Sequence, residues 1–347
     1  MYPVSLGLQH HRSKYPVPAG VTSYPQMLRK AGYYCTSNSK TDYNIAFKGK
    51  SEIWDESSRK AHYRNRKDGQ PFFAVFNFAN SHESATFPAT IERKRKSGQL
   101  PETSRLKPEE VILPPSHPDL PEVRRDWADY YDCMTDRDRH VGKILKDLVA
   151  QGLADDTIVF YYGDHGGSLA RGKRSMMDSG TRIPLVIRFG RNWEKFAPGQ
   201  AGSTIERMVG FVDFGPTVLS LGGVEIPEAM RGQAFLGSQE SAPREFVFLY
   251  RGRMDERYDE MRGIRTPRHL FVRNYAPHLP YGQHYSYAYN SRITPGWSRS
   301  TGNASSRRWR RCWTRHTFRS PCFRPSPGTA PWPISSGADP TRSGFPA

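Results

Sequence analysis

An α/β sandwich built on a mostly parallel central sheet between helices, with a smaller C-terminal antiparallel sheet unit, is the fold this sequence predicts. Three observations predict it. Two short apolar runs, PFFAVFNFAN at 71–80 and DTIVFYY at 156–162, are rich in aromatic and β-branched residues, the composition of strands buried on both faces. A long amphipathic helical pattern separates them. A third run, IPLVIRFG at 183–190, and another helical pattern at 212–224 come after it, so strands alternate with helices.

Each element has its own signals. VTSYPQMLRKAGYY (21–34) reads as a short helix, capped by Ser23, with Pro25 in the first turn and Gly32 as its stop. Residues 83–121 are proline-rich and loop-like. In 124–153 Trp127, Tyr131, Met134, Val141, Leu145 and Leu148 recur at helical spacing, and Gly152 closes the pattern. VDFGPTVLSLGGV (212–224) places Asp213 near a cap, Pro216 in the first turn and Gly222 at the end. Residues 244–275 read as strands of the smaller unit. From 291 onward no period of 2 or 3.6 survives, and Arg, Ser, Pro, Trp and Gly dominate. The expected division is 1–240 for the α/β domain, 241–290 for the smaller unit and 291–347 for a basic tail without a fold of its own.

Composition excludes several classes. The 347 residues carry a net charge of +17, which resembles a nucleic-acid signal. Yet 291–347 hold ten arginines, no lysine and one acid, so they supply +9, and the other 290 residues carry +8 without a nucleic-acid-binding motif. No nucleic-acid partner is expected. No membrane partner is expected either, because no run approaches the ~18 apolar residues of a span. The first residues lack the basic-then-apolar layout of a signal peptide. Cys35, Cys133, Cys312 and Cys322 show neither metal-ligand spacing nor a dense disulfide pattern, and the compartment is not readable from them.

In a mostly parallel sheet, ligands gather beyond the carboxyl ends of the strands. His82 follows the first apolar run, and Asp164 and His165 follow the second. A carboxylate and a neutral imidazole in tandem can face one divalent cation, and Gly166 and Gly167 let the backbone turn closely behind them. The blander reading of GDHGG is a solvated turn in which Asp164 caps the next segment. Lys173, nine residues after Asp164, could neutralise an anionic substrate or be an ordinary surface lysine. His82 could protonate a leaving group or be structural. Lys40 in SNSKTDYN is weaker still by itself.

Taken together and in order, AGYYCTSNSKTDYN, PFFAVFNFANSH, GLADDTIVFYYGDHGG, GKRSMMDSGTRIPLVIR and GFVDFGPTVLSLGGVEIPEAMRGQAF resemble a sulfatase of the alkaline-phosphatase superfamily over roughly residues 1–290. NSKTDYN is most similar to the heparan N-sulfatase-like branch. The resemblance implies an alkaline-phosphatase-like fold and a hydrolase of sulfate esters or sulfamates, with a sulfated small molecule or glycan as partner and export or a lysosome as setting. It implies Asp164 and His165 as half of a Ca²⁺ (or Mg²⁺) site, Lys173 and Lys40 as the lysines on the sulfuryl oxygens, His82 at the leaving group, and Arg182 among the substrate contacts. Asp42 stands where many members carry histidine, which puts one sulfate contact in question.

The resemblance also implies a formylglycine nucleophile made from C/S-x-P-x-R, ahead of a segment like MYPVSLGLQHHRS. That motif is absent from these 347 residues. The nearest imitation, CMTDR at 133–137, lacks the proline and lies in the amphipathic helix, so Cys133 is not read as a nucleophile. The expectation is a form incomplete at its N-terminus, altered at its C-terminus and inactive as it stands. Two other readings stay open: a phosphate- or phosphonate-ester hydrolase of the same superfamily, and a non-catalytic anion- or glycan-binding relative that keeps Lys40, Lys173 and Arg182.

Overall fold

Ser23 begins the first helix as its sequence dictates. In the computed structural model, which describes residues 11, 13–47, 49–254, 256–279 and 285–294, its backbone N–H donates to the Gln26 side chain at 2.8 Å. Residues 1–10 and nearly all of the expected basic tail lie outside the described residues. A short strand β1 (Tyr15–Pro16) precedes helix α1 (Tyr24–Lys30), which Gly32 ends at φ +92°. Then come β2 (Tyr34–Asn38), β3 (Ile45–Ala46), α2 (Lys50–Ile53), β4 (Glu56–Ser57) and β5 (Phe72–Phe76). The strands β4, β2 and β5 form a parallel sheet in that order, and β1 pairs with β3 in parallel.

The core beneath this sheet gathers Leu28, Cys35, Ile53, Trp54 and Leu219, with Phe73 of β5 stacked on Trp54 at 6.0 Å. Leu28 is 1% exposed, so Leu28→Ala would cost about 2–5 kcal/mol through lost burial and the cavity left behind.

Helix α3 (Pro88–Lys96) leads through an irregular stretch to α4 (Pro121–Ala150), with Pro121 at its first turn. The apolar stripe read from the sequence lies half-buried along α4, with Leu148 buried. A second, unexpected stripe is buried beside it: Asp126, Asp129, Asp132 and Asp136, each at most 3% exposed. Arg95 bridges Asp129 (2.6 Å) and Asp132 (3.1 Å), Arg105 meets Asp132 (3.3 Å), and Arg139 meets Asp136 (2.6 Å). Burial pushes the Asp136 carboxyl up, but hydrogen bonds from Asn80, Gln99 and Arg139 outweigh it and hold the group below its ordinary range. Arg292 pairs with Asp126 (2.9 Å) and Asp129 (3.0 Å), and Ile293, 1% exposed, packs with Val123 and Leu169. Residues 291–294, at the start of the expected tail, are thus held against α4; the rest of that expectation lies outside the described residues.

Strand β6 (Val159–Tyr162) follows α4, and after the one-turn helix α5 (Asp178–Thr181) comes β7 (Leu185–Arg188). β7 runs antiparallel to β6, with Tyr162 opposite Leu185. Residues 163–184 carry no crossover helix, so the chain returns at the end where it left. The first two runs were expected to be buried on both faces; β5 and β6 are instead mostly half-buried, each lying at the margin of its own small sheet. Helix α6 (Phe214–Leu221) ends at Gly222 as read. Buried Asp213, at its start, accepts from the backbone N–H of Gln233 at 2.9 Å and pairs with Arg244.

The smaller unit is an antiparallel sheet of β8 (Val247–Arg251), β9 (Met261–Arg265) and β10 (Leu270–Asn274), with β9 in the middle. It packs on the 163–184 loop: Arg265 pairs with Asp178 at 3.2 Å, and a Cβ built on Gly263 would lie 3.0 Å from Met176. All described residues fall within one compact unit. Among them, no helix is long and apolar enough to cross a membrane.

Candidate active site

Register decides what meets what. β2 and β5 run parallel with Asn38 opposite Phe76, so the segments leaving both strands emerge at one end. Lys40 follows β2 there, and His82 follows β5 after a single turn over Ala79–Ser81. The 163–184 loop leaves the carboxyl end of β6 and carries Asp164, His165 and Lys173. The two sets join through one contact: the Nζ of Lys173 lies 3.5 Å from the Nε2 of His82.

The loop holds its shape by backbone approach. Gly166 N–H donates to Gly180 O at 2.9 Å, and a Cβ on Gly166 would sit 1.8 Å from Ser179 O. At Gly172 a Cβ would sit 2.1 Å from Gly167 O, whose carbonyl accepts from Lys173 N–H at 2.7 Å. Any side chain at either glycine would force the loop open. His117 ties the loop to α4: the Trp127 indole N–H donates to its Nδ1 (2.9 Å), and its Nε2–H donates to Ala170 O (2.7 Å).

His82 is half-buried, and its Nδ1 lies 2.9 Å from Ser84 Oγ. Burial first, then the charges of Lys173 and Lys40, push its pKa down to about 4, so the ring is neutral near pH 7. Burial also lowers the pKa of Lys173, while Glu83 opposes that shift. The field of Asp164 acts on both groups in the opposite sense to Lys40. Lys40, His82, Asp164 and Lys173 therefore share one electrostatic neighbourhood. Lys40 is about half exposed, and Asp42, the residue found in place of histidine, pairs with it at 3.8 Å.

His165 and Asp164 face each other at 3.5 Å, with the carboxylate 71% exposed. The His165 Nδ1–H donates to Gly166 O at 2.7 Å, which fixes the tautomer and leaves Nε2, the atom facing Asp164, with a lone pair that could serve as a ligand. The pair fits part of a cation's shell. Among the described residues no group of three His, Cys, Asp or Glu could hold a metal, whereas Ca²⁺ takes about six to eight oxygens. Arg182 is exposed and lines a groove of 2110 Å³ that also reaches Asp164 and His165. The groove's walls do not include His82, Lys173 or Lys40, so Arg182 shares a surface with Asp164 and His165 that those three residues do not line.

Sequence reasoning missed three residues here. Glu83, 4% exposed, accepts from Arg174 through both oxygens (2.9 and 2.5 Å) and lies 3.6 Å from Lys173 Nζ. The Arg174 guanidinium lies over the Tyr285 ring at 4.1 Å. Arg174 holds φ +70°, a conformation costing on the order of 1 kcal/mol or more for a side chain of its size. The only signal in the sequence was adjacency: Glu83 follows His82, and Arg174 follows Lys173. Cys133 is fully buried, 3.7 Å from Ala85 O, with its thiol pKa raised by burial, which suits an inert packing residue.

The sulfatase family profile matches residues 6–224. The chain belongs to the sulfatase family. It is 37% identical to an ulvan-active sulfatase of Formosa agariphila over 318 residues, which is 81% of this chain and 52% of that protein. It is 26% identical to the human N-sulphoglucosamine sulphohydrolase over 171 residues, 46% of this chain and 33% of that one. This sulfatase-family chain thus spans about half or less of the length of these relatives. Among solved structures, a 2-O GAG sulfatase superposes with a TM-score of 0.58 at 16% identity, covering 79% of this chain and 70% of that one. A phosphonate monoester hydrolase from Silicibacter pomeroyi gives 0.57 at 18% identity, covering 90% and 83%. At such identities these two likenesses speak for the alkaline-phosphatase-like fold alone.

Proposed function

We propose that the end of the sheet bearing Lys40, His82 and Lys173 is the sulfuryl-binding part of a site that hydrolyses a sulfate ester or sulfamate on a sugar. The observation that carries this is the Lys173–His82 contact of 3.5 Å, made by two residues that 91 positions of chain separate. Lys173, drawn out of water and aimed, would neutralise charge growing on the sulfuryl oxygens, and Lys40 would add a second, more mobile cation. Neutral His82 offers Nε2 at the rim of the same spot, where it would hold or pass the proton that the departing sugar oxygen or nitrogen requires. Asp164 and His165 would supply two ligands to a Ca²⁺ or Mg²⁺ ion, whose chemistry there is charge neutralisation. Support for the sugar comes from relatives named for ulvan and for N-sulphoglucosamine.

The reading is tested by calorimetry with glucosamine 6-sulfate, glucosamine N-sulfate and unsulfated glucosamine. Binding of the sulfated sugars only, lost in Lys173→Ala, is the expected result. Equal binding of all three, or binding indifferent to Lys173, would refute it. Because the 347 residues contain no C/S-x-P-x-R, this chain is expected to bind without multiple turnover of an aryl sulfate.

A further inference from the structure

A carboxylate does not belong, on charge grounds, in a pocket meant for an anion. Glu83 is nonetheless buried at 4% exposure, beside the two residues that would receive the sulfuryl group. Its oxygens are fully used: Oε1 accepts from Arg174 Nη1 at 2.9 Å, and Oε2 accepts from Arg174 Nη2 at 2.5 Å while lying 3.6 Å from Lys173 Nζ. Arg174 is itself fixed from the other side by the ring of Tyr285 at 4.1 Å. The planar fork of a guanidinium holds a carboxylate in one orientation, which a flexible ammonium cannot do. Lys173 is the mobile member of the trio, with a long stem and three rotatable donors.

We infer that Glu83, clamped by Arg174, is a positioning residue that fixes the ammonium of Lys173 against Nε2 of His82. The inference rests on the sulfuryl-binding reading of this site and adds a residue to it.

The imidazole records the consequence. Two neutral tautomers of His82 compete. With the proton on Nδ1, the ring donates to Ser84 Oγ (2.9 Å) and accepts from Lys173 at Nε2 (3.5 Å). With the proton on Nε2, the ring accepts the Ser84 backbone N–H at Nδ1 (3.3 Å) and turns a donor toward the ammonium. Only the first form gives a charged and held Lys173 an acceptor, at the loss of the Ser84 backbone N–H bond that the second form keeps. Releasing Lys173 removes the reason for that choice.

Charge and position predict opposite signs. At a pH low enough to keep Lys173 protonated in every variant, removing the negative charge of Glu83 leaves the site more cationic, so a carboxylate acting only through its charge would, when lost, leave sulfate bound more tightly. If Glu83 positions Lys173, sulfate binds more weakly.

The experiment uses the full chain, with sodium sulfate titrated against ionic-strength-matched chloride and the ¹⁵N shifts of His82 recorded in parallel. The variants are Glu83→Gln and the double substitution Glu83→Gln with Arg174→Met. The double keeps the net charge and does not leave the Arg174 guanidinium without its carboxylate, so it protects the test should the single variant fail to fold. Expected for both is about tenfold weaker sulfate binding, the worth of one charge-assisted hydrogen bond. The His82 proton is expected to redistribute from Nδ1 toward Nε2. Glu83→Asp should recover part of both effects. Unchanged or tighter sulfate binding with an unmoved tautomer would overturn the inference. A wild type that binds no sulfate, but whose His82 tautomer still follows Glu83, would sink the sulfuryl reading and leave the positioning intact.

Discussion

The Nζ of Lys173 stands 3.5 Å from the Nε2 of His82, with Lys40 close enough for its charge to act on both. Burial first, and then this relationship, lowers the pKa of His82. His82 is expected to titrate near its depressed value of about 4, against 6.5 when unfolded. Between these values the unfolded chain binds more protons than the folded one, so stability rises with pH across the window and is lost as pH falls from 6.5 to about 4. Lys173→Met removes the second cause and leaves burial, the largest. The His82 midpoint, followed by NMR, should move up but stay below 6.5. No movement would mean that Lys173 lies elsewhere.

Gly166→Ala is expected to destabilise by roughly 3 kcal/mol or more, since the added carbon meets backbone that cannot swing aside. Its Cβ would lie 1.8 Å from Ser179 O. Gly142→Ala is the control: nothing lies within 4 Å of that position inside α4, and the change should stabilise by about 0.5–1 kcal/mol through helix propensity. Urea midpoints of the two variants would check both signs.

Asp132→Ala should cost about 1–3 kcal/mol, because it removes the buried carboxylate that Arg95 and half-exposed Arg105 share while Arg95 keeps Asp129. Glu92→Ala, which breaks an exposed pair with Lys96 on α3, should leave the urea midpoint unchanged. Comparable losses from both substitutions would contradict the packing described for α4.

Ile293→Ala should cost about 2–5 kcal/mol, as for other fully buried aliphatic side chains. Its backbone N–H donates to Asp126 at 2.7 Å, and its side chain packs on Val123 and Leu169. A neutral outcome would show that residues 291–294 do not hold α4 as described.

Where local signals were strong, the sequence was readable. Ser23, Gly32, Gly152 and Gly222 bound their helices close to where capping chemistry places them, whereas the start of α4 at Pro121 fell inside the stretch read as loop. His82 and Asp164 drew attention because each follows an apolar run, where strand ends collect chemistry, and Lys173 because it lies nine residues after Asp164; that Lys173 meets His82 was not legible. The direction of β7 was not legible, since an apolar run carries no sign of parallel or antiparallel pairing. The burial of Asp126, Asp129, Asp132 and Asp136 was not legible because their partners Arg95, Arg105 and Arg292 lie far away in sequence. Glu83 and Arg174 were hidden for the same reason: 91 positions separate two residues that make one ion pair.

The central claim is that a sulfuryl group binds at the Lys173 ammonium, beside the His82 ring. A selenate soak of crystals of the chain, read by the anomalous signal of selenium, tests it most directly. The account predicts a selenium peak with an oxygen within about 3 Å of Lys173 Nζ, on the side that His82 lines, absent from crystals of Lys173→Ala. A peak confined to Arg182 and the groove beside Asp164, or one that persists without Lys173, would contradict it.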